Sequence, residues 1–121
     1  MDHLSANQLL NSTINRTGNP ILVLHGLFGS LNNWGSVGPK LARETNASKV
    51  VLADLRNHGK SFHHPDSTQN AFADDVSRLI DHLNFGNEYT IIGHSLGGKV
   101  VMNLALQHSI ILFILQGLNF N

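Results

Sequence analysis

The sequence predicts an α/β protein, a mostly parallel sheet flanked by helices. Three observations carry this. Four apolar runs are continuous rather than alternating, so their strands should be covered on both faces. Helix-periodic segments separate them, and that alternation implies parallel strands joined by right-handed crossovers. The 121 residues are 41% hydrophobic and only 13% charged, which fits one small domain with a buried core rather than a disordered chain.

The elements follow in order. Residues 1–18 are polar and weakly patterned and read as an N-terminal segment. Ile21–His25 (I-L-V-L-H) is the first strand, and a short helix is expected over about Trp34–Thr45. Lys49–Asp54 (K-V-V-L-A-D) is the second strand. Phe72, Val76, Leu79, Ile80 and Leu83 then fall on one helical stripe. Asp74 and Asp75 are expected near the positive end of that helix, and Asn84–Gly86 should stop it. Tyr89–His94 (Y-T-I-I-G-H) is the third strand and Leu96–Gln107 the next helix. Ile110–Leu115 (I-I-L-F-I-L) has the pattern of a fourth strand, inside a C-terminal tail taken as 109–121.

Several classes of function are excluded. Eight Lys and Arg balance eight Asp and Glu, so neither nucleic acid nor a polybasic membrane surface is expected as a partner. With no cysteine there is no disulfide, no thiolate catalysis and no Cys-based zinc site. The longest apolar stretch, Val100–Leu118, is broken by Asn103, Gln107, His108, Ser109 and Gln116, so no membrane anchor is expected. The start M-D-H-L-S-A-N-Q-L-L has neither the apolar run of a signal peptide nor the arginines of a mitochondrial presequence, which leaves a cytoplasmic location as the default. The Asn-x-Ser/Thr triplets at Asn11, Asn15 and Asn46 are read as chance.

The strongest motif is Gly93-His94-Ser95-Leu96-Gly97, a G-x-S-x-G between a predicted strand and a predicted helix. That context is what a nucleophile elbow requires. The tight turn lifts the Ser95 hydroxyl above the sheet edge, glycines keep the flanks clear, and the helix N-terminus offers free N–H groups where negative charge develops. His94 is expected to pack at the elbow with its ring directed away from the nucleophile. At the end of the first strand, His25-Gly26-Leu27-Phe28-Gly29 can turn so that the Leu27 N–H faces the same space as the Leu96 N–H, two donors of an oxyanion hole. His25 is expected to be a structural hydrogen-bonding residue rather than a catalyst. After the second strand comes D-L-R-N-H-G-K-S (54–61), where Asp54, Gly59 and Ser61 are read as turn builders. His58, His63 and His64 cluster nearby, but no carboxylate pattern accompanies them, so neither metal nor cofactor is expected.

The stretches L-V-L-H-G-L-F-G-S, V-V-L-A-D-L-R-N-H-G-K-S and Y-T-I-I-G-H-S-L-G-G-K-V-V-M together resemble the α/β-hydrolase superfamily, and within it the esterase branch with R-N-H-G and G-H-S-[LM]-G-G-K motifs. The resemblance runs from about Asn19 to Gln107, a partial hydrolase domain over 19–108. It implies the N-terminal half of a hydrolase sheet, Ser95 as nucleophile, Leu27 and Leu96 as oxyanion donors, and a small acyl ester or thioester as substrate. It also adds a mitochondrial location to the cytoplasmic default.

The departure from the family pattern is as informative. The family triad runs Ser, then acid, then His. The 26 residues after Ser95 hold no Asp and no Glu, and their only histidine is His108. Thirteen helical positions from Ser95, His108 would stand about 20 Å away, far beyond the roughly 3 Å a general base needs. After Gln107 the sequence stops resembling the family, so a chain truncated after the elbow helix is expected. Two readings stay open: a weakly active esterase, or a non-catalytic product that binds ligands or associates with a partner. An unpaired sheet edge would be a template for self-association.

Overall fold

The computed structural model describes residues 3–9 and 18–105 and the backbone of the strand at 111–115. Among these, five strands form one sheet. They are β1 (Ala6–Leu9), β2 (Ile21–Leu24), β3 (Val50–Ala53), β4 (Thr90–His94) and β5 (Ile111–Leu115), in the order β1-β3-β2-β4-β5. The four strands read from the sequence run parallel to one another. β1 is the addition, an antiparallel edge strand pairing Ala6 with Ala53 and Leu9 with Val50. Its sequence, A-N-Q-L, has no apolar run because an edge strand of four residues is only partly covered.

The helices are α1 (Val37–Glu44), α2 (Gln69–His82) and α3 (Leu96–Ala105), with a short 3-10 turn at Leu31–Trp34. The helix expected over Trp34–Thr45 is α1, while Trp34 closes the preceding 3-10 turn, which Ser30 and Asn33 cap. The helix carrying Phe72 begins earlier than its apolar stripe, at Gln69, with Thr68 accepting the Ala71 N–H. Asp74 and Asp75 therefore lie in its second turn and not at its positive end, which corrects the expectation from sequence. At its other end Asn84 and Gly86 take positive φ, and Lys49 Nζ donates to Leu83 O at 2.6 Å. The continuation of α3 to Gln107, and with it His108, Asn11 and Asn15, lies outside the described residues.

Strand residues alternate between two cores, which is why the runs are apolar throughout. Leu22, Leu24, Val51, Ala53 and Ile91 pack with Phe72, Val76 and Leu79 of α2 and Val100, Val101 and Leu104 of α3. Ile21, Val23, Val50 and Leu52 face the other way, onto Leu31, Trp34, Val37 and Leu41. α1 and α2 thus cover opposite faces. Uniform crossover handedness requires this, since β3 lies on one side of β2 and β4 on the other. The connections leaving β2 and β4 diverge to opposite faces, and at such a switch point a crevice opens beyond the carboxyl ends of the strands. None of the described helices is long and apolar enough to cross a membrane.

Candidate functional site

The strand register sets the site. Leu24, the last residue of β2, is paired with Ala53 on one side and Gly93 on the other. The three motifs that follow these positions therefore leave the sheet side by side.

Ser95 occupies the single residue between β4 and α3 and has φ 55°, in the left-handed region. A non-glycine residue there is strained, a cost of about 1–3 kcal/mol that the surroundings must hold in place. The neighbours show how. A Cβ on Gly93 would lie 2.4 Å from Gly97 O, and one on Gly97 2.7 Å from the carbonyl oxygens of both Leu24 and His25. The turn closes only with glycine at both positions. Gly97 N–H donates to His25 O at 3.2 Å, stitching the start of α3 to the end of β2. Ser95 itself is exposed and borders a cleft of about 390 Å³, with Gly26, Leu27, Trp34 and His94 among its walls. The His94 ring is half-buried, and its Nδ1 would lie 3.1 Å from a Cβ on Gly26. It packs at the elbow, on a wall of the same cleft as Ser95.

The H-G-L-F-G segment turns tightly beside Ser95. Gly29 N–H donates to Gly26 O at 3.0 Å, and Phe28 takes φ 61°. A Cβ on Gly26 would stand 3.3 Å from Ser95 Cβ, so the missing side chain lets this turn lie against the elbow. Phe28 N–H is bound by His58 Nε2 at 3.1 Å. The Leu27 and Leu96 N–H groups enter none of the backbone hydrogen bonds among the described residues. Leu96 N–H is one of the first-turn donors that a helix leaves without an internal partner.

Behind this surface the loops are tied together by buried polar groups. His25 is fully buried, donates from Nδ1 to Gly26 O at 2.7 Å, and accepts the Leu55 N–H at Nε2 at 3.0 Å. Burial holds its pKa below the ordinary histidine value. The buried Asp54 carboxylate accepts the N–H groups of Leu31 (2.8 Å) and Lys60 (3.0 Å). Gly59 has φ 50°, and a Cβ there would collide with that carboxylate at 2.3 Å. Ser61 Oγ donates to Asp54 O at 2.6 Å and accepts the Ser5 N–H at 2.8 Å, which anchors the segment before β1. Arg56 closes on Asp75 of α2 with two hydrogen bonds, one of them 2.8 Å long. Composition and spacing gave no sign of this pair. Nor did they show that His58 reaches across to the other loop, although both residues stand in a segment that leaves a strand's carboxyl end.

Two expected features of the chemistry separate here. Ser95 and Leu27 border one cleft, and Leu27 and Leu96 border another. His25 and His58 commit both ring nitrogens to the backbone. His63 and His64 remain in the loop before α2, where His64 Nδ1 accepts the Asp66 N–H at 3.0 Å. No three metal-ligating side chains converge among the described residues.

Known proteins share this fold. The family described as alpha/beta hydrolase fold matches residues 19–111. The chain is similar to the sn-1-specific diacylglycerol lipase ABHD11 of Danio rerio, with 45% identity over 87 residues, 72% of this chain and 27% of that protein. It is similar to the esterase YbfF of Escherichia coli (strain K12), with 41% identity over 85 residues, 70% of this chain and 32% of that one. A solved marine microorganism esterase superposes with a TM-score of 0.79 at 33% identity, covering 93% of this chain and 41% of the other. The chain thus spans less than a third of the length of these two curated relatives.

Proposed function

The chain belongs to the alpha/beta hydrolase fold family, and on that premise we propose that it carries the nucleophile and oxyanion half of a serine esterase. Ser95 Oγ attacks the carbonyl carbon of a carboxylic ester or thioester. The Leu27 and Leu96 N–H groups receive the developing oxyanion. As the tetrahedral intermediate collapses, the bond to the alcohol or thiol breaks and an acyl group remains on Ser95. The Ser95 proton leaves with the alcohol or thiol. The observation that carries this reading is the exposed Ser95 at φ 55°, bordering a cleft with Leu27 and followed by Leu96, whose N–H groups enter no backbone hydrogen bond among the described residues.

The acid and histidine of the family triad are absent from the described residues after Ser95. The residues after Ser95 hold no acid, and His25 and His58 already bond backbone groups through both ring nitrogens. A Ser hydroxyl without a base is a weak nucleophile, and a well-placed base is worth roughly 10²–10⁴ in rate. Acylation of this chain is therefore slow, sustained by the oxyanion donors and by binding alone. The same observation favours a second reading, a non-catalytic chain that binds acyl ligands in the 390 Å³ cleft. A fluorophosphonate probe separates them. Slow modification that mass spectrometry maps to Ser95 in preference to other serines is the expected result. Modification no faster at Ser95 than at other exposed serines would favour the binding reading.

A further inference from the structure

Phe28 is the most exposed large apolar residue described, at 92%, yet its backbone is held in a left-handed conformation that side chains disfavour. Something other than side-chain packing must fix this turn. His58 does so. Its Nε2 accepts the Phe28 N–H at 3.1 Å, while its Nδ1 donates to Arg56 O at 2.8 Å. One imidazole thus bridges the loop after β3 to the turn after β2, and both bonds require the neutral ring with its proton on Nδ1.

We infer that His58 is a positioning residue for the oxyanion hole: it holds the Leu27–Phe28 turn so that Leu27 N–H faces Ser95, and it releases that turn when protonated. This rests on the reading of Leu27 as an oxyanion donor. The bond geometry has a direct consequence. A protonated Nε2 would point its own hydrogen at the Phe28 hydrogen, so the bridge fails once the ring takes a proton. Among the described residues the turn then keeps the two hydrogen bonds to Gly26 O, from Gly29 N–H and from His25 Nδ1, and neither holds Phe28 itself, so its strained φ is free to relax.

The surroundings place the sensitivity on His58 rather than on its neighbour. The His25 ring stands 5.0 Å away, centre to centre, with the same arrangement of a donating Nδ1 and an accepting Nε2. It is fully buried, and burial lowers its pKa, whereas His58 is partly exposed. The other charged groups at this junction are committed: Asp54 to the Leu31 and Lys60 N–H groups, Arg56 to Asp75. Ser67, Gln69 and Phe72 from the approach to α2 and its first turn, and Leu96 from α3, face the cleft beside His58 without charge.

The test compares wild type, His58→Leu and His58→Gln in the full chain. Leu removes the acceptor, whereas Gln keeps a neutral oxygen acceptor that does not titrate. At neutral pH, His58→Leu should slow fluorophosphonate labelling of Ser95 by about tenfold, part of the roughly 10²–10³ lost with an oxyanion donor, and His58→Gln should restore most of it. As pH falls, the ratio of His58→Gln to wild-type rates should rise with the same midpoint as the His58 ring resonances in NMR spectra. The Phe28 amide resonance should shift with that midpoint in wild type alone. Wild-type labelling by His58→Leu, or a ratio indifferent to His58 protonation, would overturn the inference. If Ser95 takes no label in any variant, the esterase reading fails, and the Phe28 amide then decides the bridge alone. A shift tracking His58 supports the bridge, and an amide blind to His58 overturns it.

Discussion

Two glycines decide where Ser95 stands, and neither has room for a methyl group. A Cβ at Gly93 would meet backbone atoms of Gly97 and Gly98 at 2.4–2.7 Å, and backbone cannot rotate aside as a side-chain tip can. Gly93→Ala is therefore expected to destabilise the chain by about 2–3 kcal/mol, at the upper end of overpacking costs, as read from urea unfolding. An unchanged midpoint would mean that the elbow is looser than its geometry. His25 gives a second expectation at this scale. Unfolded, its imidazole titrates at the ordinary 6.5, and folded, burial depresses that value. The unfolded chain therefore binds more protons below pH 6.5, so the stability this residue contributes above that pH is lost as pH falls. His25→Gln, which cannot titrate, should flatten the decline in unfolding midpoint between neutral pH and pH 5, and an identical decline in the variant would contradict the assignment.

Among the elements, the contact between the β3 loop and α2 depends on one buried carboxylate. Asp75 is 1% exposed and receives Arg56, itself 8% exposed, together with the half-exposed Arg78. Removing one partner of a buried pair leaves an uncompensated charge and typically costs about 3–5 kcal/mol. Asp75→Ala should fall in that range by urea unfolding. Arg78→Ala, at the solvent-screened end, should cost no more than about 1 kcal/mol. Equal effects would show that the pair is not the tie between these elements. This is also where reading the sequence fell short. Periodicity revealed the stripe of α2 but not its first turn, because Gln69 and Asn70 are polar and the start is marked only by the Thr68 cap. β1 escaped for a related reason: a strand of four residues on an edge needs no apolar run. The runs of β2 and β3 were legible because both of their faces are buried, and that of β4 because its second face is still half-covered.

At the scale of the whole molecule, the parallel register converts three separate motifs into one site. Leu24 paired with both Ala53 and Gly93 brings H-G-L-F-G, D-L-R-N-H-G and G-H-S-L-G to a single edge. The G-x-S-x-G and H-G motifs were legible because their residue types are dictated by local backbone geometry. The His58 bridge and the Arg56–Asp75 pair were not, because each joins residues whose proximity exists only once the sheet is assembled. The central claim is that this edge holds a nucleophile and its oxyanion donors without a general base. Steady-state hydrolysis of a butyryl nitrophenyl ester by wild type and Ser95→Ala tests it most directly. The account predicts a wild-type rate orders of magnitude below the typical enzyme median of about 10 per second, changed little by Ser95→Ala. Turnover of many per second that Ser95→Ala abolishes would contradict it, because a base acting on Ser95 would then have to be present.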